Sequence, residues 1–462
     1  MTADLAMMTP EQARDPDWFP GLATAIPLGI QHVLAMFVSN MTPAIIVAGA
    51  AGFGYGSADT RELIYMIQMA MLFAGIATLL QTIGFGPIGA RLPLVQGTSF
   101  AFIPIMIPIV AGRGVAAMAE LMTAALCGGL LHAGLSFFVG RIRFALPPLI
   151  TGLVVLMIGL SLMRIGVQYA AGGVPALGTP AFGAWQSWLL AGVVVVTTLG
   201  LNFFGRGIFQ TAAVLLGLLA GYGAAMLMGR IDFAPVAHAG LVMLPTPFHF
   251  GFAVSASAIL GFCLTGFVSS IESIGDVDAI CEGNAGRPAS DAELQGAVCA
   301  DGVGTALAAM FGAMPNTTFS QNVGLIAITG VMSRHVVTLG ALFLIACGLL
   351  PKVGALITTI PIEVLGGGVI VMFGMVASAA TSMLSGVQWT QRNMLIFGVS
   401  LSLALGLQLE PEALQHVPET LRILLGSGVL PAACSAVALN LLVPGRTMPA
   451  RAVGEFMVTR DG

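Results

Sequence analysis

Three carboxylates fall inside apolar stretches of the sequence, where a charge is expensive. Glu272 and Asp276 lie in FVSSIESIGDVDAI, and Asp301 lies in AVCADGVGTAL. A carboxylate in hydrocarbon must be paired, hydrated or protonated, so each of these residues is a candidate for ligand binding or proton transfer. A solvated helix end is the alternative for Asp276 and its neighbour Asp278. His32, in PLGIQHVLAMF, is a further candidate, with simple helix packing as its alternative.

The most polar stretch of the chain, PNTTFSQNVGLIAITG (315–330), is also surrounded by apolar residues. A related stretch, VQGTSFAF (95–102), precedes Pro104 and Pro108. Both patterns indicate a short extended piece that leads into a half-helix. Non-helical backbone at membrane depth survives only where protein or a watery cavity satisfies it, and paired broken segments indicate a transporter's binding site. Two facing half-helix N-termini would offer N–H groups to a polar ligand. An external loop is the alternative.

The composition is that of an all-α integral membrane protein. Of 462 residues, 57% are hydrophobic and 8% are charged, against about a quarter charged in soluble proteins. Apolar runs of about 20 residues recur along the chain. The six cysteines are scattered and are interpreted as reduced packing residues, neither disulfides nor metal ligands. No GxSxG, HExxH or CxxC motif supports an enzyme, no cofactor or metal is expected, and no basic tract suggests nucleic acid. The polar, acidic N-terminus predicts no cleaved signal peptide.

The apolar runs predict fourteen membrane segments that divide into two sets of seven at the loop 230–249. Because seven is odd, the second set enters the membrane from the opposite side, which gives an inverted repeat if the halves are related. Arginines are more frequent in the loops on the N-terminal side, so both termini are expected in the cytoplasm. The segments are 21–40, 62–84, 93–112, 114–138, 146–167, 187–205, 209–229, 250–275, 294–312, 316–333, 335–360, 363–384, 391–409 and 424–444.

Two short matches indicate that the halves are related. Thr98-Ser99-Phe100 in the third segment matches Thr317-Thr318-Phe319 in the tenth, at an offset of 219. Pro147 and Gly152 in the fifth segment match Pro361 and Gly366 in the twelfth, at an offset of 214. Both matches fall at equivalent positions within their halves, which favours the inverted repeat over chance.

These blocks together resemble the nucleobase–ascorbate transporters, also called nucleobase:cation symporters. QNVGLIAITG (321–330) fits the family signature [Q/E/P]-N-x-G-x4-T-[R/K/G]. IQHVLAMF, QGTSFAF, ESIGD and ADGVG are similar to further family blocks and occur in the family's order. The resemblance covers nearly the whole chain.

The resemblance implies a core domain, a gate domain and a purine site. Segments 1–4 and 8–11 would form the core domain, residues 21–140 and 250–360, while the gate domain would take 141–249 and 361–445. Residues 1–20 and 446–462 would be cytoplasmic tails. Members are commonly homodimers. By motif match, Glu272 and Gln321 would hold the base, while Asp301, His32, Asn322 and Asp276 would support the site and proton coupling. Ser99, Thr98, Phe100, Ser320 and Gly324 complete the predicted binding set.

The substrate is expected to be a purine. Xanthine and uric acid permeases of this family tend to carry Gln at the position of Gln321, and its amide matches a lactam edge with adjacent N–H and C=O groups. Glu272 can accept two ring N–H bonds. Xanthine permeases carry Asn where this chain has Ser99, and the smaller residue favours the additional C8 oxygen of uric acid. We therefore expect a uric acid:proton symporter of the plasma or inner membrane, which moves by an elevator-like or rocking motion.

Three alternatives stay open at this point. The first is a xanthine:proton symporter, the second is a nucleobase uniporter, and the third is an anion transporter of the same seven-plus-seven fold. An anion transporter would be expected to lack Glu272 and the Gln321-Asn322 pair. The proton is inferred from the buried carboxylates, since no sodium site is evident in the sequence.

Overall fold

The chain is mostly helical in the computed structural model, which describes residues 9–54, 57, 59–142 and 147–443. The helices of eight or more residues are α1 (Leu22–Ala51), α2 (Thr60–Ile83), α3 (Ile103–Val110), α4 (Ala117–Leu135), α5 (Pro148–Ala170), α6 (Trp185–Phe204), α7 (Ala213–Leu227), α8 (Ala256–Ile280), α9 (Asp291–Met310), α10 (Ser320–Thr329), α11 (Arg334–Gly348), α12 (Pro351–Thr358), α13 (Ile362–Ser385), α14 (Gln391–Leu409), α15 (Glu419–Gly426) and α16 (Val429–Leu442). Two strands, β1 (Gln96–Thr98) and β2 (Asn316–Thr318), interrupt this series.

Shorter turns of helix connect these elements. They are Pro10–Arg14, Ser136–Phe138, Val139–Ile142, Val174–Ala176, Ile208–Thr211, Ala234–His238, Cys281–Ala285 and Pro411–Leu414. The turn at Ile208–Thr211 follows Gly207, whose φ of 60° lies in the left-handed region. This turn joins α6 to α7 and becomes important at the functional site.

The prediction of an all-α membrane protein is confirmed. Eight helices in the described part of the chain are long and apolar enough to cross a membrane, or up to ten if each bent pair counts as one span. The bent pairs are α11 with α12, which meet at 78°, and α15 with α16, which meet at 82°. Each of the fourteen predicted segments overlaps at least one of the sixteen helices. The exact number of spans stays a prediction.

The two broken segments have the predicted form. β1 leads into the eight-residue α3, and β2 leads into the ten-residue α10. The strands pair with each other in antiparallel fashion, Gln96 opposite Thr318 and Thr98 opposite Asn316. Each strand therefore satisfies the backbone groups that the other leaves open at membrane depth, where an unpaired N–H or C=O would be costly.

The register of this sheet agrees with the inverted repeat. At the offset of 219, Gly97 corresponds to Asn316 and Thr98 corresponds to Thr317. The pair Gly97–Thr317 therefore maps onto the pair Thr98–Asn316. A twofold axis between the strands produces this self-consistent pattern.

Packing in a second pair of helices follows the other predicted offset. A Cβ on Gly152 in α5 would lie 2.7 Å from Cγ of Leu384 in α13, and one on Gly366 in α13 would lie 2.6 Å from Cα of Ala170 in α5. Adding 214 converts 152 into 366 and 170 into 384, so the two contacts are equivalents of each other. The sequence matches therefore reflect a structural repeat.

Glycines also let α4 approach α9 until their backbones touch. A Cβ on Gly129 would lie 2.6 Å from N of Ala306, and one on Gly302 would lie 2.7 Å from O of Gly129. Small residues allow this kind of approach between membrane helices. The contact matters for function because Gly302 follows Asp301.

Ion pairs between arginine and acidic side chains lie at the ends of the helices. Arg334 pairs with Asp17, which fixes the N-terminal segment at the start of α11, and Arg113 pairs with Glu120. Arg230 pairs with Glu363 at the start of α13. The predicted C-terminal tail, 446–462, lies outside the described residues. All six cysteines are free thiols.

We predict that Gly129→Ala destabilises the fold. The added methyl group must displace backbone atoms of α9, and overpacking of this kind costs roughly 1–3 kcal/mol. The measurement is the thermal unfolding midpoint of the purified protein in detergent, which should fall. The matched control is Gly134→Ala on the same helix, where a Cβ would meet no atom within 4 Å. Equal midpoints for the two variants would contradict the close α4–α9 contact.

Candidate functional site

A cavity of about 290 Å³ lies where the two broken segments meet the helices on the opposite side of the molecule. The size is near the lower end of the roughly 300–1,000 Å³ range of small-molecule sites. One wall comes from β1, β2, α8 and α10, and the other from α5, α6, α7, α13 and the turn Ile208–Thr211. The lining residues are Ala35, Thr98, Phe100, Val155, Ile158, Asn202, Gln210, Thr211, Ala213, Val214, Glu272, Thr317, Thr318, Phe319, Ser320, Gln321, Gly324, Leu325, Met375, Val376 and Ala379.

Six of the seven predicted binding residues line this cavity. They are Glu272, Gln321, Thr98, Phe100, Ser320 and Gly324. Ser320 and Gln321 form the first turn of α10, whose leading N–H groups have no partner within the helix. The tertiary structure therefore brings a carboxylate, an amide and a helix N-terminus to one space.

Ser99 is the predicted binding residue that does not line the cavity. It is fully buried, and its N–H donates to O of Pro315 at 2.8 Å. Its hydroxyl has no hydrogen-bond partner among the described residues. The extended backbone of this stretch turns alternate side chains to opposite faces, and Thr98 and Phe100 are the neighbours that face the cavity. A direct contact between Ser99 and a ligand therefore lacks structural support.

Glu272 offers an open acceptor to the cavity. Its Oε2 atom is buried and has no hydrogen-bond partner among the described residues. Leaving such an oxygen unpaired is costly. The carboxylate therefore suits a ligand that brings N–H groups with it.

An aromatic and aliphatic surface completes the wall. The ring centroids of Phe100 and Phe319 lie 6.5 Å apart with the planes at 63°. Phe100 also packs edge-on against Phe373 in α13, at 5.3 Å and 86°. Together with Val155 and Ile158, these rings provide a surface suited to a flat heterocycle.

Asp301 lies behind the cavity wall rather than in it. It is fully buried in α9, and its Oδ1 accepts from Nε2 of Gln96 at 2.5 Å and from Nε2 of Gln81 at 3.1 Å. Its Oδ2 accepts from the hydroxyl of Ser273. Three donors thus compensate for the burial of one carboxylate. Gln81 and Gln96 received no role from the sequence, although a glutamine inside an apolar segment was a usable signal.

Asp276 is also buried, at 1% exposure, so the alternative of a solvated helix end does not apply to it. Its Oδ2 accepts from the hydroxyl of Thr318 in β2 at 2.9 Å. Its Oδ1 has no hydrogen-bond partner among the described residues. Asp276 therefore contacts Thr318, a residue of the strand that forms part of the cavity wall.

Two side chains of α1 hold the broken segments in place. Nδ2 of Asn322 lies 3.1 Å from Nδ1 of His32 and donates to O of His32 at 3.0 Å, which fixes α10. Because the amide nitrogen is a donor, Nδ1 is the acceptor and the ring proton lies on Nε2. Oδ1 of Asn40 accepts from N of Thr98 at 2.8 Å, which fixes β1. Asn40 was not singled out from the sequence.

The opposite wall contributes amides that the sequence did not reveal. Asn202, Gln210 and Thr211 line the cavity. Nε2 of Gln210 donates to O of Asn202 at 3.1 Å, and Nε2 of Gln31 donates to Oγ1 of Thr211 at 2.6 Å. Gln31 precedes His32, so adjacent residues of α1 contact both walls.

Within the described part of the chain, no group of three or more His, Cys, Asp or Glu side chains is arranged to hold a metal ion. Asp301 is instead bonded to two amides and a hydroxyl, and Asp276 is bonded to a hydroxyl, while Glu272 keeps an oxygen without a partner among the described residues. The chemistry that this arrangement supports is hydrogen bonding to a polar, planar ligand and the holding of protons.

Comparisons with known proteins give a consistent result. A family model, Xan_ur_permease, described as the Permease family, matches residues 23–413. The xanthine permease XanP of Escherichia coli K12 is 36% identical over 436 residues, 92% of this chain and 93% of the relative. The uric acid permease PucJ of Bacillus subtilis 168 is 36% identical over 426 residues, which are 90% of this chain and 91% of the relative. The murine Slc26a9 anion transporter has a TM-score of 0.59 at 14% identity, over 92% of this chain and 70% of that one. This last likeness concerns the fold alone.

We predict that His32 and Asn322 stabilise the protein as a pair. Asn322→Leu leaves a ring nitrogen unpaired, so His32→Leu in the same chain should recover about 1 kcal/mol of the loss. The measurement is a double-mutant cycle by chemical denaturation in detergent. His132→Leu serves as a control, because His132 is buried with no hydrogen-bond partner for its ring among the described residues. Strictly additive losses would show that the two side chains do not interact.

Proposed function

Since this chain belongs to the Xan_ur_permease family, we propose that it imports a purine nucleobase, uric acid above all, together with a proton. The chain is a multi-pass membrane permease and not an enzyme. The observation that carries the proposal is the meeting of Glu272 and Gln321 in one cavity, next to the N-terminus of α10. A purine fits these groups because its edges alternate N–H and C=O.

Recognition of the base rests on complementary hydrogen bonds. The carboxylate of Glu272 accepts ring N–H groups, and charge-assisted bonds of this type are about twice as strong as neutral ones. The amide of Gln321 supplies one donor and one acceptor to a lactam edge. Phe100 covers a face of the ring system. A ligand without these N–H groups would leave Glu272 unpaired, which disfavours it.

Uric acid is proposed ahead of xanthine, which stays the second candidate. Uric acid carries one more carbonyl oxygen than xanthine, on C8, and Asn202 and Gln210 line the wall opposite Glu272. An amide N–H there can donate to this oxygen. A relative named as a xanthine permease and one named as a uric acid permease are both 36% identical to this chain. The percentage identity therefore favours neither substrate.

Transport requires the two walls to move relative to each other. The proposed core domain, 21–140 and 250–360, contains β1, β2, α8 and α10, and the proposed gate domain, 141–249 and 361–445, contains the opposite wall. The bond from Gln31 to Thr211 joins the two, as does the bond between Tyr222 and Thr359 at 2.8 Å. An elevator-like or rocking motion would break such bonds and remake them elsewhere. A homodimer, with both termini in the cytoplasm, completes the proposal.

A proton that is transported with the substrate would offset the charge repulsion in the site. Uric acid is largely a monoanion at neutral pH, and an anion beside ionised carboxylates is repelled strongly in a poorly hydrated cavity. A proton that enters with the substrate removes this repulsion. Asp301 is the proposed carrier because it is buried away from the substrate, which leaves Glu272 free to bind the base.

We predict that Gln321→Glu lowers purine uptake by roughly a hundredfold or more, because an unpaired buried group costs several kcal/mol. The measurement is uptake of radiolabelled uric acid and xanthine into proteoliposomes, at equal protein content. Gln388→Glu, at an exposed position, is the matched control and should leave uptake unchanged. Normal uptake by Gln321→Glu would remove Gln321 from the site.

A second prediction concerns coupling. Asp301→Asn resembles the protonated acid, so it should abolish accumulation driven by a pH gradient and keep substrate binding, seen as a ligand-induced thermal shift. Glu272→Gln should lose both. Asp291→Asn, at the exposed start of the same helix, is the control and should behave as the unmutated protein.

The same assay distinguishes the alternative functions. Accumulation by Asp301→Asn on a pH gradient would show that Asp301 is not the carrier. Accumulation by the unmutated protein that follows sodium and ignores pH would contradict proton symport. Equilibration without accumulation indicates a uniporter. A lack of purine uptake together with uptake of inorganic anions indicates an anion transporter.

A further inference from the structure

A chain of hydroxyl groups connects two of the buried carboxylates. It runs from Oδ2 of Asp301 to Oγ of Ser273, then to Oγ1 of Thr318 and on to Oδ2 of Asp276. The oxygens of Ser273 and Thr318 are 3.4 Å apart, and those of Thr318 and Asp276 are 2.9 Å apart. All four side chains are at most 1% exposed. The chain therefore runs through protein and not through open water.

The two oxygens of Asp301 have different surroundings, which decides where a proton can sit. Oδ1 accepts from the amides of Gln81 and Gln96, so it has no room for a hydrogen of its own. Oδ2 faces only the hydroxyl of Ser273 among the described residues. A hydroxyl both donates and accepts. Ser273 can donate to ionised Asp301, or it can accept from protonated Asp301 and turn its hydrogen to O of Ser269, 3.2 Å away.

The other end of the chain reaches the cavity. Thr318 belongs to the cavity wall, and so does Ser320. Oδ1 of Asp276 is buried and has no partner among the described residues, so it can accept a further hydrogen. The titratable side chains near this chain of hydroxyls are the carboxylates of Glu272, Asp276 and Asp301 and the thiol of Cys299, which lies near Asp301. No described lysine or arginine forms an ion pair with them.

We propose that Ser273 and Thr318 form a proton relay between Asp301 and Asp276, by which the coupling proton enters and leaves the buried carrier. The inference rests on the proposed proton symport and extends it. In the release direction, the proton of Asp301 passes to Ser273, the hydrogen of Ser273 passes to Thr318, and that of Thr318 passes to Asp276. One proton moves from Asp301 to Asp276, and each hydroxyl keeps one hydrogen. Asp276 then exchanges the proton with the cavity, next to Ser320.

The relay makes proton exchange, and not substrate binding, depend on two hydroxyls. Ser273 is absent from the cavity wall, and a substrate held by Glu272 and Gln321 does not need it. Net uptake must load and unload Asp301 in every cycle. Exchange of internal for external substrate can proceed with Asp301 protonated throughout. A broken relay therefore slows net uptake and spares exchange, whereas a damaged site slows both.

The test compares two assays in proteoliposomes with radiolabelled uric acid and xanthine. One assay measures net uptake driven by an imposed pH gradient, and the other measures counterflow at equal pH on both sides. For Ser273→Ala and Thr318→Val we expect net uptake to fall roughly tenfold or more, since positioned proton transfer typically contributes at least that much. For Ser273→Ala, counterflow should stay within about twofold of the unmutated protein. For Thr318→Val, whose side chain belongs to the cavity wall, net uptake should fall by a larger factor than counterflow. Thr318→Ser keeps the hydroxyl and should restore net uptake.

The matched control is Ser269→Ala. Ser269 lies one turn before Ser273 on α8, is fully buried, and donates to Thr317 at 3.2 Å instead of to a carboxylate. Ser269→Ala should leave the ratio of net uptake to counterflow unchanged. A ratio that falls for Ser269→Ala as much as for Ser273→Ala would overturn the relay.

Three further outcomes would overturn the proposal. Equal losses in net uptake and counterflow would make Ser273 and Thr318 supports of the site and not relay groups. Unchanged net uptake in both variants would show that the proton takes another path. A lack of pH-driven uptake in the unmutated protein would overturn the proton symport itself, and this result is distinguishable because it appears before any variant is compared.

Discussion

The antiparallel pairing of β1 with β2 is the interaction on which the rest of the structure depends. A chain that leaves the helical conformation at membrane depth exposes N–H and C=O groups that lipid cannot satisfy. Here the two breaks satisfy each other, with Gly97 opposite Thr317 at the centre. Neither half could keep its broken segment alone. The pairing holds the half-helix α10 next to the cavity, and it places Thr98 and Thr318 in the cavity wall.

The second constraint is the burial of three acidic side chains among apolar helices. The polar groups behind this sheet compensate for that burial. No described cation neutralises these acidic side chains. Asp301 accepts hydrogen bonds from two amides and a hydroxyl, and Asp276 accepts one from the hydroxyl of Thr318 in β2. Neutral donors of this kind leave a carboxylate able to exchange a proton, whereas a fixed arginine would hold it ionised. The use of glutamine, serine and threonine instead of arginine is therefore compatible with the proposed proton symport.

The site is divided between two walls with different tasks. The wall of β1, β2, α8 and α10 carries Glu272 and the N-terminus of α10, and the proposed relay lies behind it. The opposite wall presents aliphatic side chains and the amides of Asn202 and Gln210. A ligand bound between the two walls contacts both of them. If these contacts differ between two relative positions of the walls, binding shifts the equilibrium towards the position with the more favourable contacts. The bond between Gln31 and Thr211 lies at the boundary between the two walls.

The sequence by itself determined the membrane class, the approximate segments, the two breaks and six of the residues that line the cavity. It could do so because apolar run length, Pro and Gly positions and an isolated Glu272 or Gln321 are local signals. Ser99, by contrast, matched the family pattern and yet lies outside the cavity wall. Only the tertiary structure decided that Gln81 and Gln96 hold Asp301, that Asn40 fixes β1, and that Asn202 and Gln210 face the site. Those contacts join residues far apart in the chain, and their partners are chosen by the crossing of helices and the register of the sheet, neither of which a local pattern records.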